Sequence, residues 1–122
     1  MEVTEEKNRK AGELSFTSIY PLYLQKIEKK GRTVKELNKI IEWLTGFNES
    51  QLKKMLNKET TFKEFFENAI INPKAHLITG VVCGYRIEEI KETFQLYRNC
   101  RYLDKLVDEL SKGKELNKIL RT

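Results

Sequence analysis

The chain has 122 residues and a net charge of +5, and its residues are 39% hydrophobic and 34% charged. This length suits one domain and is too short for two, while the hydrophobic content excludes a disordered chain. No apolar run approaches the roughly 20 residues of a membrane helix and residues 1–12 lack the apolar core of a signal peptide, so we expect a cytoplasmic protein without a membrane partner.

The N-terminal part of the chain divides into an arm and the start of a helical domain. Residues 1–13 are polar, carry mixed charge and show no periodicity, which predicts a flexible N-terminal arm. Residues 14–122 are predicted to form a single helical domain. From Ser18 onward apolar residues recur three or four positions apart, and this spacing predicts a first helix over residues 19–30.

Capping signals mark the next two helices. Thr33 is followed three positions later by Glu36, an arrangement in which each side chain satisfies a free backbone N–H of a new helix. We therefore predict a helix over residues 34–44, where the apolar residues repeat at helical spacing. Asn48 begins a second signal of this kind, which predicts a shorter helix over residues 49–57.

The C-terminal half contains further helical patterns. An aromatic stripe predicts a helix over residues 62–69, and apolar spacing predicts a long helix over residues 92–112 and a final turn over residues 116–120. The predicted fold is all-α, a single compact domain of five or six short helices with one Gly-bracketed extended segment. We expect a largely buried core of Leu37, Ile41, Trp43, Leu44, Phe65, Phe66, Leu103 and Val107.

The extended segment, LITGVVCGYRIEEI, is the stretch where the helical pattern stops. Gly80 and Gly84 bracket two valines and Cys83, and β-branched residues favour an extended backbone. We predict a mostly buried, extended or irregular segment over residues 77–83, with a turn at Gly84. Both cysteines, Cys83 and Cys100, are expected to be buried thiols, because two are too few for a disulfide framework.

Several stretches of the chain resemble one family of small prokaryotic proteins, known as domain of unknown function 2200. The matching stretches are SFTSIYPLYLQKIEKKGRT, IIEWLTGF, TTFKEFFENA, NPKAHLITGVVCGYRIEEI and RYLDKLVDELSKGK with the later KILR. The resemblance extends over nearly the whole chain after Ala11. It implies no activity, because the family has none that could be transferred to these residues.

The first candidate site is a pocket at the Gly-bracketed segment, formed by Cys83, Tyr85, Arg86, Glu88 and Glu89. A cation near a thiol lowers its pKa, which a nucleophilic thiolate requires together with a base. The alternative is that Cys83 is a small buried residue. The catalytic residues are therefore unknown from the sequence.

Metal and cofactor sites receive little support. Asp104 and Asp108 lie one turn apart and would need a further acid to hold a hard divalent ion, whereas a charged helix face explains them equally well. His76 is the only histidine, and neither Gly80 nor Gly84 begins a phosphate-binding loop. We expect no metal and no cofactor.

The second candidate site is a basic corner of the predicted fold, formed by Lys29, Lys30, Arg32 and Lys35. Several cations around one turn would attract an anion, although a solvated corner has the same composition. The two helices over residues 34–44 and 49–57 also resemble a helix-turn-helix in length. Sequence-independent binding of nucleic acid is therefore an alternative with weak support.

These observations leave three hypotheses for the function. The first is a small non-catalytic binding or interaction module whose partner is another protein, a second copy of the chain or an anionic polymer. The second is a small-ligand-binding protein or enzyme with a pocket around residues 80–89. The third is nucleic-acid binding through the basic corner.

Overall fold

A computed structural model describes residues 2–121 of the chain. The described part contains seven α-helices, two short β-strands and three short 3₁₀ helices, and most of it is helical. The helices are α1 (Glu5–Glu13), α2 (Phe16–Glu28), α3 (Val34–Thr45), α4 (Glu49–Leu56), α5 (Phe62–Glu67), α6 (Gln95–Ser111) and α7 (Leu116–Ile119). The strands β1 (Val81–Val82) and β2 (Tyr85–Arg86), with 3₁₀ turns at Pro73–Leu77, Ile87–Glu89 and Glu92–Phe94, connect α5 to α6. The predicted all-α fold is confirmed.

Helix α6 occupies the centre of the structure. It packs against α1, α2, α3, α5 and α7, and its residues Leu103, Leu106 and Leu110 have no exposed surface. Its amphipathic spacing explains this position, because the apolar residues recur on one face of the helix. The long helix predicted over residues 92–112 is confirmed except at its start, where Glu92–Phe94 forms a 3₁₀ turn.

The predicted capping boxes fix the beginnings of α3 and α4. The Thr33 side chain accepts from the Glu36 backbone N–H, and the Glu36 carboxylate accepts from the Thr33 backbone N–H. Asn48 and Gln51 exchange the same two hydrogen bonds at the start of α4. A cap of this kind contributes roughly 1 kcal/mol to helix stability, and both helices end within one residue of the predicted bounds.

An aromatic cluster fills the space between α2 and α5. The Phe16 ring stacks on Phe65 with 4.0 Å between centroids, and Phe62 and Phe66 are buried beside them. Of the predicted core, only Trp43 differs, because it is partly exposed. The buried face of α3 is centred on Leu37, Ile40, Ile41 and Leu44, and at 3.6 residues per turn Trp43 lies to the side of that face.

Helix α1 was not predicted. The arm expected over residues 1–13 is instead helical over Glu5–Glu13 and packs against α5 and α6. The contact uses small residues, since Ala11 is buried and a Cβ atom on Gly12 would collide with Leu96. Small residues at a close helix crossing leave no apolar periodicity in the sequence. The flexibility of this segment in solution stays a prediction.

Helix α1 also completes α6. The first backbone N–H groups of a helix have no partner within the helix, and no side chain of the preceding turn caps α6. Asn8 fulfils this role from α1, because its Oδ1 atom accepts from the Tyr97 backbone N–H at 2.8 Å. The cap therefore comes from a residue that is distant in sequence.

Candidate binding site beside the hairpin

The two strands form a hairpin with a two-residue loop. Val81 pairs with Arg86 and Val82 with Tyr85 in antiparallel register. The loop residues Cys83 and Gly84 have φ angles of 54° and 83°. Positive φ at both loop positions is the geometry of the type I′ turn, which fits the twist of a hairpin. The predicted turn at Gly84 is confirmed.

The predicted burial of this segment is wrong. Ile78 is 1% exposed, but Leu77 and Val81 are 47% and 52% exposed, and Cys83 is exposed at the tip of the hairpin. A two-stranded ribbon buries only the face that lies on the domain, so alternate residues face outward. Cys100 is buried as predicted, and burial raises the pKa of its thiol to about 12.

Tyr85 holds the hairpin on the helical domain. Tyr85 is only 7% exposed, and its ring packs edge-on against the Tyr97 ring with 5.3 Å between centroids. The Lys7 ammonium of α1 donates to the Tyr85 hydroxyl at 2.6 Å, and this hydrogen bond lowers the pKa of Tyr85. Burial raises the pKa of Tyr97 to about 12. The hairpin is thus attached to both α1 and α6 by one tyrosine.

Asp104 is the centre of a second polar network under the hairpin. Its carboxylate accepts from the Tyr23 hydroxyl at 2.7 Å and from the Arg101 guanidinium at 2.5 Å. The Cys83 thiol lies 3.9 Å from the same carboxylate. Burial is the main reason that the pKa of Tyr23 is raised, with the Asp104 charge adding to it. Asp104 therefore ties α2 and the hairpin tip to α6.

The candidate metal ligands have protein partners. Besides these contacts of Asp104, the Asp108 carboxylate lies 3.1 Å from Lys112 and 3.7 Å from Lys26. Within residues 2–121, no three His, Cys, Asp or Glu side chains are grouped as a metal site would require. His76 is exposed, with Nδ1 2.7 Å from the Pro73 carbonyl oxygen. These positions identify the two aspartates as parts of ion pairs.

A cavity of about 160 Å³ lies next to the hairpin. Three parts of the chain form it, namely the N-terminal segment, strand β2 and the turns that follow β2. The lining residues are Glu2, Val3, Tyr85, Arg86, Glu89, Ile90, Lys91 and Phe94. Three of the five predicted pocket residues line this cavity, whereas Cys83 and Glu88 do not. Glu2 and Val3 have no signal in the sequence, because only the fold brings them to strand β2.

The charged groups at the cavity are incompletely paired. Arg86 lies 3.6 Å from Glu89 and 3.8 Å from Glu88, and both distances exceed those of hydrogen bonds. Glu88 instead accepts from the Gly80 backbone N–H at 3.0 Å, a contact that lowers the pKa of Glu88. Among the described residues, the Arg86 guanidinium donates no hydrogen bond. It is therefore a cation with free donors in a cavity that both charged and apolar side chains line.

The basic corner differs from its prediction in one residue. Lys29, Lys30 and Lys35 are exposed, but the Arg32 side chain is only 14% exposed. Its guanidinium donates to the carbonyl oxygens of Leu110 and Lys114 at 3.2 and 2.7 Å, and to Glu36 at 2.7 Å. Arg32 thus joins the start of α3 to the end of α6, and its donors are not available to an anion.

The family model described as "Uncharacterized protein conserved in bacteria (DUF2200)" matches residues 10–121. The chain belongs to this family. This chain is similar to the crystal structure of uncharacterized protein SP1917, with a TM-score of 0.84 and 36% sequence identity. The match covers 93% of this chain and 92% of that chain. No curated protein matches the chain.

The family match includes the hairpin and most of the cavity lining. The N-terminal residues Glu2, Val3 and Lys7, which supply one wall of the cavity and the Tyr85 contact, precede the matched range. In residues 2–121, no helix has the length and apolar content to cross a membrane. The family is uncharacterized, so the cavity has to be interpreted from its own chemistry.

Proposed function

We propose that this protein is a small cytoplasmic binding module without catalytic activity, and that its binding site is the cavity beside the hairpin. The supporting observation is the composition of the cavity, in which Val3, Ile90 and Phe94 supply apolar surface and Arg86 supplies free hydrogen-bond donors. Four charged side chains share the lining with these apolar residues, and ligand-binding pockets use such polar groups to orient a ligand on apolar surface. The cavity therefore offers a ligand both apolar contact and a charged group that fixes its orientation.

The size of the cavity limits the ligand. A volume of about 160 Å³ lies below the roughly 300–1,000 Å³ of typical small-molecule pockets. This space accepts a small molecule or one side chain of a larger partner. Binding here is expected to be weak unless the ligand also extends outside the cavity.

The absence of catalysis in this proposal rests on the residue types of the lining. The cavity is lined by no Ser, Thr, Cys or His side chain, so it has none of the Ser, Thr or Cys nucleophiles that an adjacent histidine base activates. The exposed thiol of Cys83 contacts Asp104 and lies outside the lining. An enzyme that uses Cys83 is the alternative, and it would not depend on the cavity.

The other two partners have less support. The exposed large apolar residues lie on separate elements, among them Leu22 at 60% and Ile70 at 82% exposure, and single exposed apolar residues are normal on a monomer. The basic corner offers three lysines for a nucleic acid instead of four cations. Protein association and nucleic-acid binding remain alternatives to be tested.

A fragment screen by ligand-observed NMR tests the proposal with two matched variants. Val3→Trp fills the cavity from the N-terminal segment, while Val34→Trp places the same ring on an exposed position at the start of α3. We expect fragments that bind the wild-type protein and Val34→Trp to lose binding in Val3→Trp. The proposal fails if no fragment distinguishes the two variants.

A further inference from the structure

We infer that the cavity selects a ligand with a carboxylate attached to a short apolar or aromatic body. This inference rests on the proposed function, since it specifies the chemistry of the ligand for the same site. The carboxylate would bind Arg86 at the cavity edge, and the body would lie against Ile90 and Phe94. Both a free organic acid and the C-terminus of a peptide carry this chemistry.

Arg86 provides the main argument. A guanidinium has N–H groups in a planar fork that matches the two oxygens of a carboxylate. In the described structure its nearest carboxylate oxygens, on Glu89 and Glu88, are 3.6 and 3.8 Å away. Its side chain is 52% exposed, so a ligand reaches it without movement of the backbone. A ligand carboxylate would form the hydrogen bonds that the protein leaves unmade.

Glu88 and Glu89 differ in how they compete for Arg86. Glu88 is held by the Gly80 backbone N–H, which keeps its other oxygen at 3.8 Å from the guanidinium. Glu89 is 70% exposed and has only the long contact with Arg86. A ligand carboxylate would therefore displace Glu89, a step that costs little because exposed ion pairs contribute little.

Lys91 adds a second cation to the cavity lining. It is exposed, and within residues 2–121 it forms no ion pair with an acidic side chain. The acids Glu2 and Glu89 balance the two cations in number, so the lining is close to neutral overall. Affinity for a carboxylate is thus expected to come from hydrogen bonds of the Arg86 guanidinium. It should depend on the geometry of those hydrogen bonds more than on the net charge of the lining.

The experiment compares phenylpropionate with phenylpropionamide, which has nearly the same shape and no charge. Both are titrated into the full chain, and chemical shifts of the protein amides report binding. We expect the carboxylate to bind at least about tenfold more tightly, as charge-assisted bidentate hydrogen bonds predict. Equal affinity for the amide would overturn the carboxylate inference and leave the cavity as the site.

Three variants assign the effect to Arg86. Arg86→Gln is expected to weaken phenylpropionate binding about tenfold, and Arg86→Lys, which keeps the charge without the fork, is expected to recover only part of it. Arg9→Gln, at an exposed arginine of α1, is the matched control and should bind as the wild type does. Equal effects of Arg86→Gln and Arg9→Gln would overturn the assignment.

Glu89→Gln gives the most specific result. It removes the competing carboxylate, so we expect phenylpropionate to bind about two- to fivefold more tightly, from the usual strength of an exposed ion pair. Weaker binding would contradict the proposed displacement. Binding of neither probe would overturn the inference, and the fragment screen with the Val3 and Val34 variants would then decide separately whether the cavity binds small molecules at all.

A peptide C-terminus is separated from a free acid by a further pair of probes. An acetylated dipeptide that ends in phenylalanine carries the same carboxylate on a longer chain, and its C-terminal amide is the neutral control. Tighter binding of the peptide acid than of phenylpropionate would indicate a peptide ligand. Weaker binding of the peptide acid than of phenylpropionate would indicate a free acid. Equal binding of each acid and its amide would contradict both the free-acid ligand and the peptide ligand.

Discussion

Helix α3 and the β-hairpin are stabilised in different ways. Both ends of α3 are fixed by its own sequence, with the capping box of Thr33 and Glu36 at the start and Gly46 at φ 76° at the end. The hairpin has two residues per strand, which is too short for stability in isolation. It is held by Tyr85, whose partners Lys7 and Tyr97 lie on α1 and α6.

This difference explains why the candidate site lies at the hairpin. Regions that depend on a few side-chain contacts open at lower free-energy cost than a packed core, and ligand sites commonly occupy such regions. The face of α3 formed by Leu37, Ile41 and Leu44 is buried in the core, whereas the hairpin leaves Arg86 and the cavity surface free. The helical body therefore provides most of the stability, and the hairpin provides the exposed Arg86 guanidinium and the cavity surface.

The largest expected effect is in the helical body. Leu103 has no exposed surface, so Leu103→Ala should lower the free energy of unfolding by roughly 2–5 kcal/mol through lost burial and a new cavity. Leu22→Ala, on a side chain that is 60% exposed, should change it by less than about 0.5 kcal/mol. Urea denaturation measures both. Similar losses in the two variants would mean that the core is assigned to the wrong face.

The second effect separates structure from anion binding at the basic corner. Arg32→Gln removes hydrogen bonds to Leu110, Lys114 and Glu36, and we expect a loss of about 1–3 kcal/mol in unfolding free energy. Lys30→Gln, at an exposed lysine, should change stability little. An Arg32 variant with wild-type stability and weaker, salt-sensitive binding of DNA would instead support the nucleic-acid alternative.

The third effect concerns the loop of the hairpin. Gly84 has φ 83°, a conformation that costs an L-residue roughly 1–2 kcal/mol, so Gly84→Ala should destabilise the hairpin by about that amount. Cys83 has φ 54°, and asparagine is preferred to cysteine in this turn. Cys83→Asn should therefore leave stability unchanged or raise it slightly. Denaturation curves measure both effects. Destabilisation by Cys83→Asn as well as by Gly84→Ala would refute the assignment of a type I′ turn.

The smallest effect compares the two cysteines. Burial raises the pKa of Cys100 from 9.0 to about 12, so the folded thiol keeps its proton at a pH where the unfolded thiol has lost it. The corresponding stability is present below pH 9 and is lost as the pH rises toward 12. Wild-type protein and Cys83→Ala should lose more stability between pH 8 and 9.5 than Cys100→Ala does, by somewhat less than about 1 kcal/mol, since one pKa unit corresponds to about 1.4 kcal/mol.

A thiol reagent supplies the control for the cysteine comparison. At neutral pH we expect the exposed Cys83 to react in the folded protein and the buried Cys100 to react only after unfolding. Equal reaction rates would contradict the burial of Cys100. An alkaline slope that is unchanged in Cys100→Ala would assign the pH dependence to tyrosines such as Tyr97 instead.

The sequence was sufficient where the determinants are local. The caps of Thr33 and Asn48 and the apolar spacing of α3 and α6 predicted these helices closely, because the deciding residues lie within a few positions of each other. Helix α1 was missed because its contact depends on Ala11 and Gly12 against α6. Small residues at a close crossing give no periodic signal.

The site was predictable only in part for the same physical reason. The composition around Gly80 and Gly84 located the hairpin, and Tyr85, Arg86 and Glu89 do line the cavity. Helices α1 and α6 determine which face of the hairpin is covered. The exposure of Cys83 therefore cannot be predicted from the residues next to it in the sequence. The wall formed by Glu2 and Val3 depends on the unpredicted helix that follows them.

The location of the binding site is tested by an amide chemical-shift map of the labelled full chain with a bound fragment. We predict that the shifts concentrate at residues 85–94 and at the N-terminal segment, and that they disappear in Val3→Trp. Shifts that concentrate instead around Lys29, Lys30 and Lys35, or on α3 and α4, would contradict the proposal that the cavity beside the hairpin is the binding site.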